Sequence, residues 1–541
     1  MISALRKKRK EFGFMNLFFS GNGRCFSPFM FRSLIALALA LSLASAPALA
    51  GDDVYTISPD DEKHLLKQAD KLARNGEYTE AEKIYRRVIK TNPDNARAKV
   101  SLAHTLVKQR QLVEAYDLSL GVARSDPENA YAYSVLGTTL LAAGRFEDAR
   151  GVLYTAIKKN RKEALAWAGF GLLEFFENNI DESLMNLKEA VYHDPNEPDY
   201  VFAMAQVSAR AERYREAADA YNRYLRIANQ TDKERRDRIR GLIEFLRFLG
   251  NRSSLYSASG PESTTINFTL TGNRPVLELK INGRDEPLKF VLDTGSGITV
   301  ISEETAERLK IREITRGGYA KGIGGDGKFE IVYGFLREVD LNGIRIRSVP
   351  TYIRRFHNTS NQVDGYIGLS LISKFLTTVD YGKETFTLVR KDGLKKADGH
   401  KDAITVPLRL TSSGFLSGEV LLTGVENPLN FIVDTGASIS VISDDVASLE
   451  PVSAFDRGIP MRVIGAAGIT EDVPSYMIPK VSFGSHSRES IAAIALDLDM
   501  INEVAGFEQA GILGGNFLRN YRMTFDFENS VVTFVPIEQK P

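Results

Sequence analysis

The sequence predicts a multidomain α plus β chain, with an N-terminal α-solenoid followed by two all-β units that pair as a pseudo-dimer. Three observations lead there. Small residues recur every 34 positions through the first 250 residues. From about residue 263 to 536 the apolar pattern changes to the alternation of strands. Within that region one carboxylate-bearing segment occurs twice, as Phe290-Val-Leu-Asp293-Thr-Gly-Ser-Gly-Ile-Thr-Val-Ile-Ser302 and Phe431-Ile-Val-Asp434-Thr-Gly-Ala-Ser-Ile-Ser-Val-Ile-Ser443.

The chain's 541 residues are enough for several domains, and 43% hydrophobic with 26% charged content is ordinary for globular protein. Lys plus Arg and Asp plus Glu both number 69, so no basic field points to nucleic acid. Residues 1–50 read as a secretory signal: the apolar run Leu34 to Leu43 ends in Ser45-Ala-Pro-Ala-Leu-Ala50, a small-residue cleavage site. That run has about ten strongly apolar residues where a span needs roughly 20, which argues against a membrane anchor. The basic stretch Arg6-Lys-Lys-Arg-Lys10 lies far upstream, so Met15 and Met30 compete with Met1 as the start. The expectation is an exported protein, periplasmic or extracellular, with no stable membrane span after cleavage. The single cysteine, Cys25, precedes the cleavage site, so the mature chain is expected to lack disulfides and thiol chemistry.

Residues 51–250 carry the helical period. Ala81, Ala115, Ala149, Ser183 and Ala217 keep a step of 34, and Pro93, Pro127 and Pro195 keep the same register, with Arg161 in the fourth place. Segments such as Gly76-Glu-Tyr-Thr-Glu-Ala81 and Gly144-Arg-Phe-Glu-Asp-Ala149 resemble the tetratricopeptide repeat. Five units are expected, capped by a helix over Arg236 to Phe248. The resemblance implies a concave face that holds a peptide or protein partner. A rigid spacer or an intramolecular brace is the competing reading. Trp167, Phe170, Phe175 and Phe176 have the spacing of packing residues.

Residues 251–264 are polar and turn-rich and read as a linker. Strand patterns follow at Ile266 to Leu270, Val276 to Ile281 and Lys289 to Leu292, within a first β unit over 265–390. A polar stretch, 391–402, separates it from a second unit over 403–537. The flanks repeat with the aspartates. Ile281 to Phe290 mirrors Leu422 to Phe431 at the offset of 141 that separates Asp293 from Asp434, and Gly365-Tyr-Ile-Gly368 mirrors Gly511-Ile-Leu-Gly514 at an offset of 146.

Two Asp-Thr-Gly loops brought face to face set two carboxylates within a few ångströms, where they share a proton and activate a water. A lone Asp-Thr-Gly is compatible with an ordinary β-turn; two in matched context are not. The β units resemble retropepsin-like aspartyl proteases, and three motifs recur in order. The resemblance implies that Asp293 and Asp434 are the catalytic dyad, that Thr294 and Thr435 hydrogen-bond across a pseudo-twofold axis, and that Gly295 and Gly436 let amides approach the carboxylates. Ser296 and Ala437 follow as further support for the dyad. Tyr366-Ile-Gly368 and Ile512-Leu-Gly514 are implied to buttress the aspartate loops. Glycines Gly322, Gly324 and Gly325 in one unit, and Gly465 and Gly468 in the other, are implied to form flap tips that close over an extended peptide. Gly322, Gly324 and Gly327 also satisfy a dinucleotide fingerprint, but Lys328 to Tyr333 is strand-like and does not open a phosphate-capping helix.

Other chemistries fail on residue supply. The six histidines are scattered without ligand spacing, and no Gly-x-Ser-x-Gly elbow occurs, so no metal and no cofactor is implied. The function expected is that of an exported aspartic endopeptidase whose repeats recruit a peptide or protein substrate or a partner. The alternative is a non-catalytic cell-envelope scaffold using inactive protease-like units. Pairing of units between chains is a further alternative. The copies differ after Asp-Thr-Gly, where the Ser296 hydroxyl is expected to donate to its carboxylate, making Asp293 the more acidic member and leaving the proton on Asp434.

Overall fold

The computed structural model describes residues 58–230, 232–252, 254–357, 363–390 and 403–537. The signal segment 1–50 and the second linker 391–402 lie outside the described residues. Two compact units divide the chain at Glu114 and Ala115. No helix among the described residues is long and apolar enough to cross a membrane.

Among the described residues eleven helices run from Pro59–Arg74 to Lys233–Gly250, as five pairs with three-residue turns and a terminal helix. Asparagine starts several of them: the Asn95 and Asn129 side chains accept from the amides of Ala98 and Ala132, pairing donors that the helix itself leaves open. The residues of the 34-step lie inside the helix packing. Ala81, Ala115, Ala149, Ser183 and Ala217 are all fully buried, and the Ser183 hydroxyl donates to the Gly171 carbonyl of the preceding helix at 2.6 Å.

After the helices come two β units of matching topology. In the first, Leu288–Leu292 runs parallel to Gly365–Ile367, which runs antiparallel to Thr299–Ser302. Arg274–Ile281 pairs both with Leu288–Leu292 and with Lys328–Leu341, closing the sheet on itself. The second unit repeats this with Leu429–Val433, Gly511–Leu513 and Ser440–Ser443, and Leu416–Leu422 closes it against Ser475–Phe483. Residues 251–264, read as a linker, are not structureless. Ser257–Ser259 pairs with Ile344–Arg354 at an edge, and the next strand begins at Ser263. A strand lying at an edge with one exposed face tolerates the polar residues that suggested a linker.

A sheet shared by the two units fixes them together. Its order follows Ile404–Pro407, Val531–Pro536, Tyr521–Asp526, Phe375–Asp380, Thr385–Arg390 and Ser263–Thr271. The central pair, Phe375–Asp380 against Tyr521–Asp526, crosses between units, with the Thr378 and Thr524 hydroxyls 3.0 Å apart. Threonine pairs flank it symmetrically, Thr265 with Thr387 at 2.9 Å and Thr405 with Thr533 at 3.1 Å. The units therefore pair within one chain.

Repeats from Ala115 onward belong to the same compact unit as the β region, and three of their turns dock on it. Phe507 of the second β unit inserts between Phe146 and Phe176, with both ring centroids 5.0 Å away. Asn178 donates to the Phe527 carbonyl at 3.3 Å. Arg210, stacked 3.8 Å over the Phe175 ring, donates to the Thr411 carbonyl at 2.6 Å. The turns beside these residues, 143–145, 177–179 and 211–213, recur every 34 residues, so one edge of the solenoid meets the second β unit. The terminal helix meets the first: Phe245 stacks on Tyr333 at 4.4 Å, and Gly241 leaves room for the Arg316 carbonyl. The Phe175 and Phe176 rings thus serve packing as expected, but Phe176 packs between domains as well as within a repeat.

Because Phe507 is fully buried among these rings, Phe507→Ala should cost about 3–5 kcal/mol. Urea denaturation checks it, and a loss under about 1 kcal/mol would mean that the rings do not hold the domains together.

Candidate active site

Each Asp-Thr-Gly loop ends a buried strand, Leu288–Leu292 or Leu429–Val433. The strand behind it holds the aspartate by the backbone. Asp293 donates its amide to the Ile367 carbonyl and Asp434 to the Leu513 carbonyl, both at 3.0 Å. This is how Tyr366-Ile-Gly368 and Ile512-Leu-Gly514 act on the site.

Across the axis the loops interlock through Thr294 and Thr435, neither of which is solvent-exposed. The Thr294 amide donates to the Thr435 hydroxyl at 3.1 Å, and the Thr435 amide to the Thr294 hydroxyl at 3.0 Å. Each hydroxyl in turn donates to a backbone carbonyl of the opposite unit, Thr294 to Val433 at 2.6 Å and Thr435 to Leu292 at 2.7 Å. All four groups are buried and paired, so losing one hydroxyl strands an amide and a carbonyl together.

The interlock sets the two carboxyls facing each other within hydrogen-bonding reach. Glycine is required beside them. A Cβ on Gly295 would collide with the Asp434 carboxyl, and one on Gly436 would lie 2.6 Å from Asp293 Oδ1. The glycine amides instead point inward, Gly295 donating to Asp293 Oδ1 at 3.0 Å and Gly436 to Asp434 Oδ1 at 2.7 Å.

Burial raises both carboxyls above the usual aspartate range. The Ser296 hydroxyl does not make the contact that the Ser296/Ala437 difference predicts. The Ser296 hydroxyl donates to the Ile298 carbonyl at 2.8 Å, so its single proton is unavailable to a carboxylate. Asp434 is favoured in its charged form by the Asp293 side chain and the amides of Gly436, Ala437 and Gly295, whereas Asp293 has the Gly295 amide and the Arg354 charge. Asp293 also faces the negative charge of Asp434 and is held well above its ordinary value. Both carboxyls are raised as one proton-sharing pair, in which the extra amides favour charge on Asp434.

Two hairpins cover the pair. Arg312–Lys321 and Lys328–Leu341 carry one tip, Met461–Ile464 and Ile469–Val473 the other. The tips hydrogen-bond to each other, Ala467 donating to the Ile323 carbonyl at 2.8 Å and Gly325 to the Ile469 carbonyl at 3.3 Å. Gly324, at φ +94°, leaves its missing side chain's place to the Gly468 carbonyl. All five predicted flap glycines therefore lie in two tips that meet, the less glycine-rich one included.

Beneath the tips lies a cavity of about 1380 Å³ lined by both aspartates, both units and the last repeat helices, including Phe202, Gln206, Arg235 and Arg238. Sequence reasoning named none of these helical residues, nor Arg274 and Arg354 on the cavity wall. The signal for the arginines was present, since each stands where the other unit has an apolar residue.

An unfolded aspartate titrates near 3.8, and Asp293 titrates higher in the fold. Between those values folding takes up a proton, so this group's contribution to stability falls as pH rises through that window. Asp293→Asn removes that slope. Thermal melts from about pH 4 to about pH 8 should show the substituted chain gaining on the original as pH rises; a constant difference would contradict the raised value.

Two segments, residues 277–371 and 419–517, match the family model described as Aspartyl protease. Residues 72–119, 120–166 and 169–231 match Tetratricopeptide repeat models. No curated protein matches the chain. Among solved structures, TTC0263, a thermophilic TPR protein of Thermus thermophilus, is 24% identical over 34% of this chain and 98% of its own, at a TM-score of 0.30. PilF of Pseudomonas aeruginosa is 16% identical over 35% and 86%, at 0.27. A MamA RS-1 double mutant is 18% identical over 32% and 96%, at 0.23. The chain thus carries two segments of the aspartyl protease family, preceded by tetratricopeptide repeats.

Proposed function

We propose that the chain is an exported aspartic endopeptidase in which one polypeptide supplies both halves of the dyad. The observation that carries this reading is the crossed Thr294–Thr435 interlock, which holds the two carboxyls face to face beneath paired flaps. Export is supported by the signal-like residues 1–50.

An extended polypeptide lies in the cavity with its scissile carbonyl over the dyad. Asp434, charged, takes a proton from a water as the water oxygen attacks the carbonyl carbon. Asp293 gives its proton to the carbonyl oxygen, so a neutral tetrahedral diol forms. On collapse the C–N bond breaks, the proton on Asp434 passes to the leaving nitrogen, and one diol hydroxyl returns a proton to Asp293. The dyad ends as it began, without a covalent intermediate. Water exclusion by the flaps strengthens each of these charge-dependent contacts.

The repeats have two roles in this reading. Their turns brace the second β unit through Phe146, Phe176 and Arg210. Their last helices add Phe202, Gln206 and Arg238 to the cavity wall, where a substrate longer than the cleft would be recruited.

The purified chain should cut an unfolded polypeptide at mildly acid pH, and Asp293→Asn and Asp434→Asn should each reduce the rate by about a thousandfold or more. Mixing the two variants should restore nothing, because each dyad belongs to one chain. Recovery on mixing would mean pairing between chains, and undiminished cleavage in both would remove the dyad from the reaction.

A further inference from the structure

The pseudo-twofold axis makes differences between the two units legible as differences between the two sides of the cleft. Strand register fixes the equivalences. Val276 opposes Val291 as Ser417 opposes Ile432, so two residues upstream Arg274 corresponds to Phe415. Arg354 opposes Ser302 as Leu496 opposes Ser443. Tyr366 opposes Val291 as Ile512 opposes Ile432. All six line the cavity. One wall offers two guanidiniums and a phenol where the other offers Phe, Leu and Ile.

Neither arginine of that wall is neutralised. Arg354 lies 5.3, 4.9 and 5.7 Å from the ring centroids of Phe329, Phe356 and Tyr366, and donates to the Ala466 carbonyl at the opposite flap tip at 2.8 Å. Arg274 donates to the Thr271 carbonyl at 3.3 Å, and its charge favours the ionised form of the Tyr366 phenol. Among the described residues neither has a carboxylate within ion-pairing distance, whereas the cavity's Lys321 and Lys328 pair with Glu503 and Glu234. The carboxyl whose charge Arg354 senses is Asp293, which shares its proton with Asp434 and lies beyond ion-pairing distance. A guanidinium withdrawn from water without a counter-anion is a costly arrangement that an incoming carboxylate relieves, and its planar fork suits that partner.

We propose that the Arg274–Arg354–Tyr366 wall is a subsite for an acidic side chain, Glu or Asp, of the bound polypeptide, with the Phe415–Leu496–Ile512 wall taking an apolar side chain across the axis. It rests on the reading of the cleft as a site for an extended polypeptide. The Ala466 contact gives the subsite a further consequence. A substrate carboxylate drawn to Arg354 meets a guanidinium already tied to the second flap, so occupancy of this wall and closure of that flap are linked.

Binding tests this apart from turnover. The probe is a set of otherwise apolar decapeptides, amidated at the C-terminus, in which one Glu or one Gln is walked through every position. Affinities are measured on the full chain carrying Asp434→Asn. At one position the Glu peptide should bind about tenfold or more tighter than its Gln twin. Adding Arg354→Leu, which installs the residue of the other wall, should bring the ratio to within about twofold, and Arg354→Lys should keep most of it. Arg274→Phe provides the second test should Arg354→Leu disturb folding. A ratio near one at every position, or a preference that survives both Arg354→Leu and Arg274→Phe, overturns the proposal. Cleavage of the same peptides by the unsubstituted chain is scored separately. Glu preference in binding without any cleavage would count against the endopeptidase and leave the subsite standing, while cleavage with no Glu preference would do the reverse.

Discussion

Four buried hydrogen bonds between Thr294, Thr435 and the strands behind them are the contact on which the site depends. Each threonine places its amide and its hydroxyl against the opposite unit. Neither half can turn without stranding groups that have no water to fall back on. The interlock therefore does two things at once: it joins the β units at their deepest point, and it fixes the distance at which two acids must share one proton. The shared central sheet does the same at a second place along the axis, with its Thr378–Thr524 pair. Between these two fastenings the cavity and its flaps are determined.

The helical repeats matter to this site mechanically. One edge of the solenoid seats Phe507, Thr411 and Phe527 of the second unit, while the terminal helix packs Phe245 against Tyr333 on the first flap's strand. The helices from Ala115 onward thus touch both halves of the cleft. Intramolecular bracing, one of two readings open from sequence, describes these contacts; the proposed recruiting role would fall to the helices that reach the cavity. The contacts to the second β unit come from helix ends and turns, whereas the terminal helix both packs Phe245 on Tyr333 and lines the cavity with Arg235 and Arg238.

Much of the fold was legible because it is written periodically. A 34-residue step predicts helix pairs, and a duplication at an offset of 141 predicts two β units with one aspartate each. The interlocked threonines were reached through resemblance and stand where it implies. What was not legible depends on directions that composition does not encode. Ser296 differs from Ala437 as the sequence says, yet its hydroxyl turns to Ile298, while backbone amides around Asp434 favour its charged form. The docking of Phe507 has no periodic signature, because a single aromatic in a loop looks like any other. Ser257–Ser259 was hidden by polarity suited to an edge strand. Pairing within one chain, left open by the duplication alone, follows from the register of the crossing strands.

The central claim is that Asp293 and Asp434 form one proton-sharing pair, in which we propose that the charge rests on Asp434. Carboxyl-carbon NMR titration of aspartate-labelled chain reads this directly. Two coupled steps are expected, Asp434 ionising first and Asp293 well above its ordinary range, and Asp434→Asn should move the Asp293 step downward by removing the facing charge. Two independent aspartates titrating near 3.8, with Asp293 indifferent to substitution of Asp434, would contradict the account.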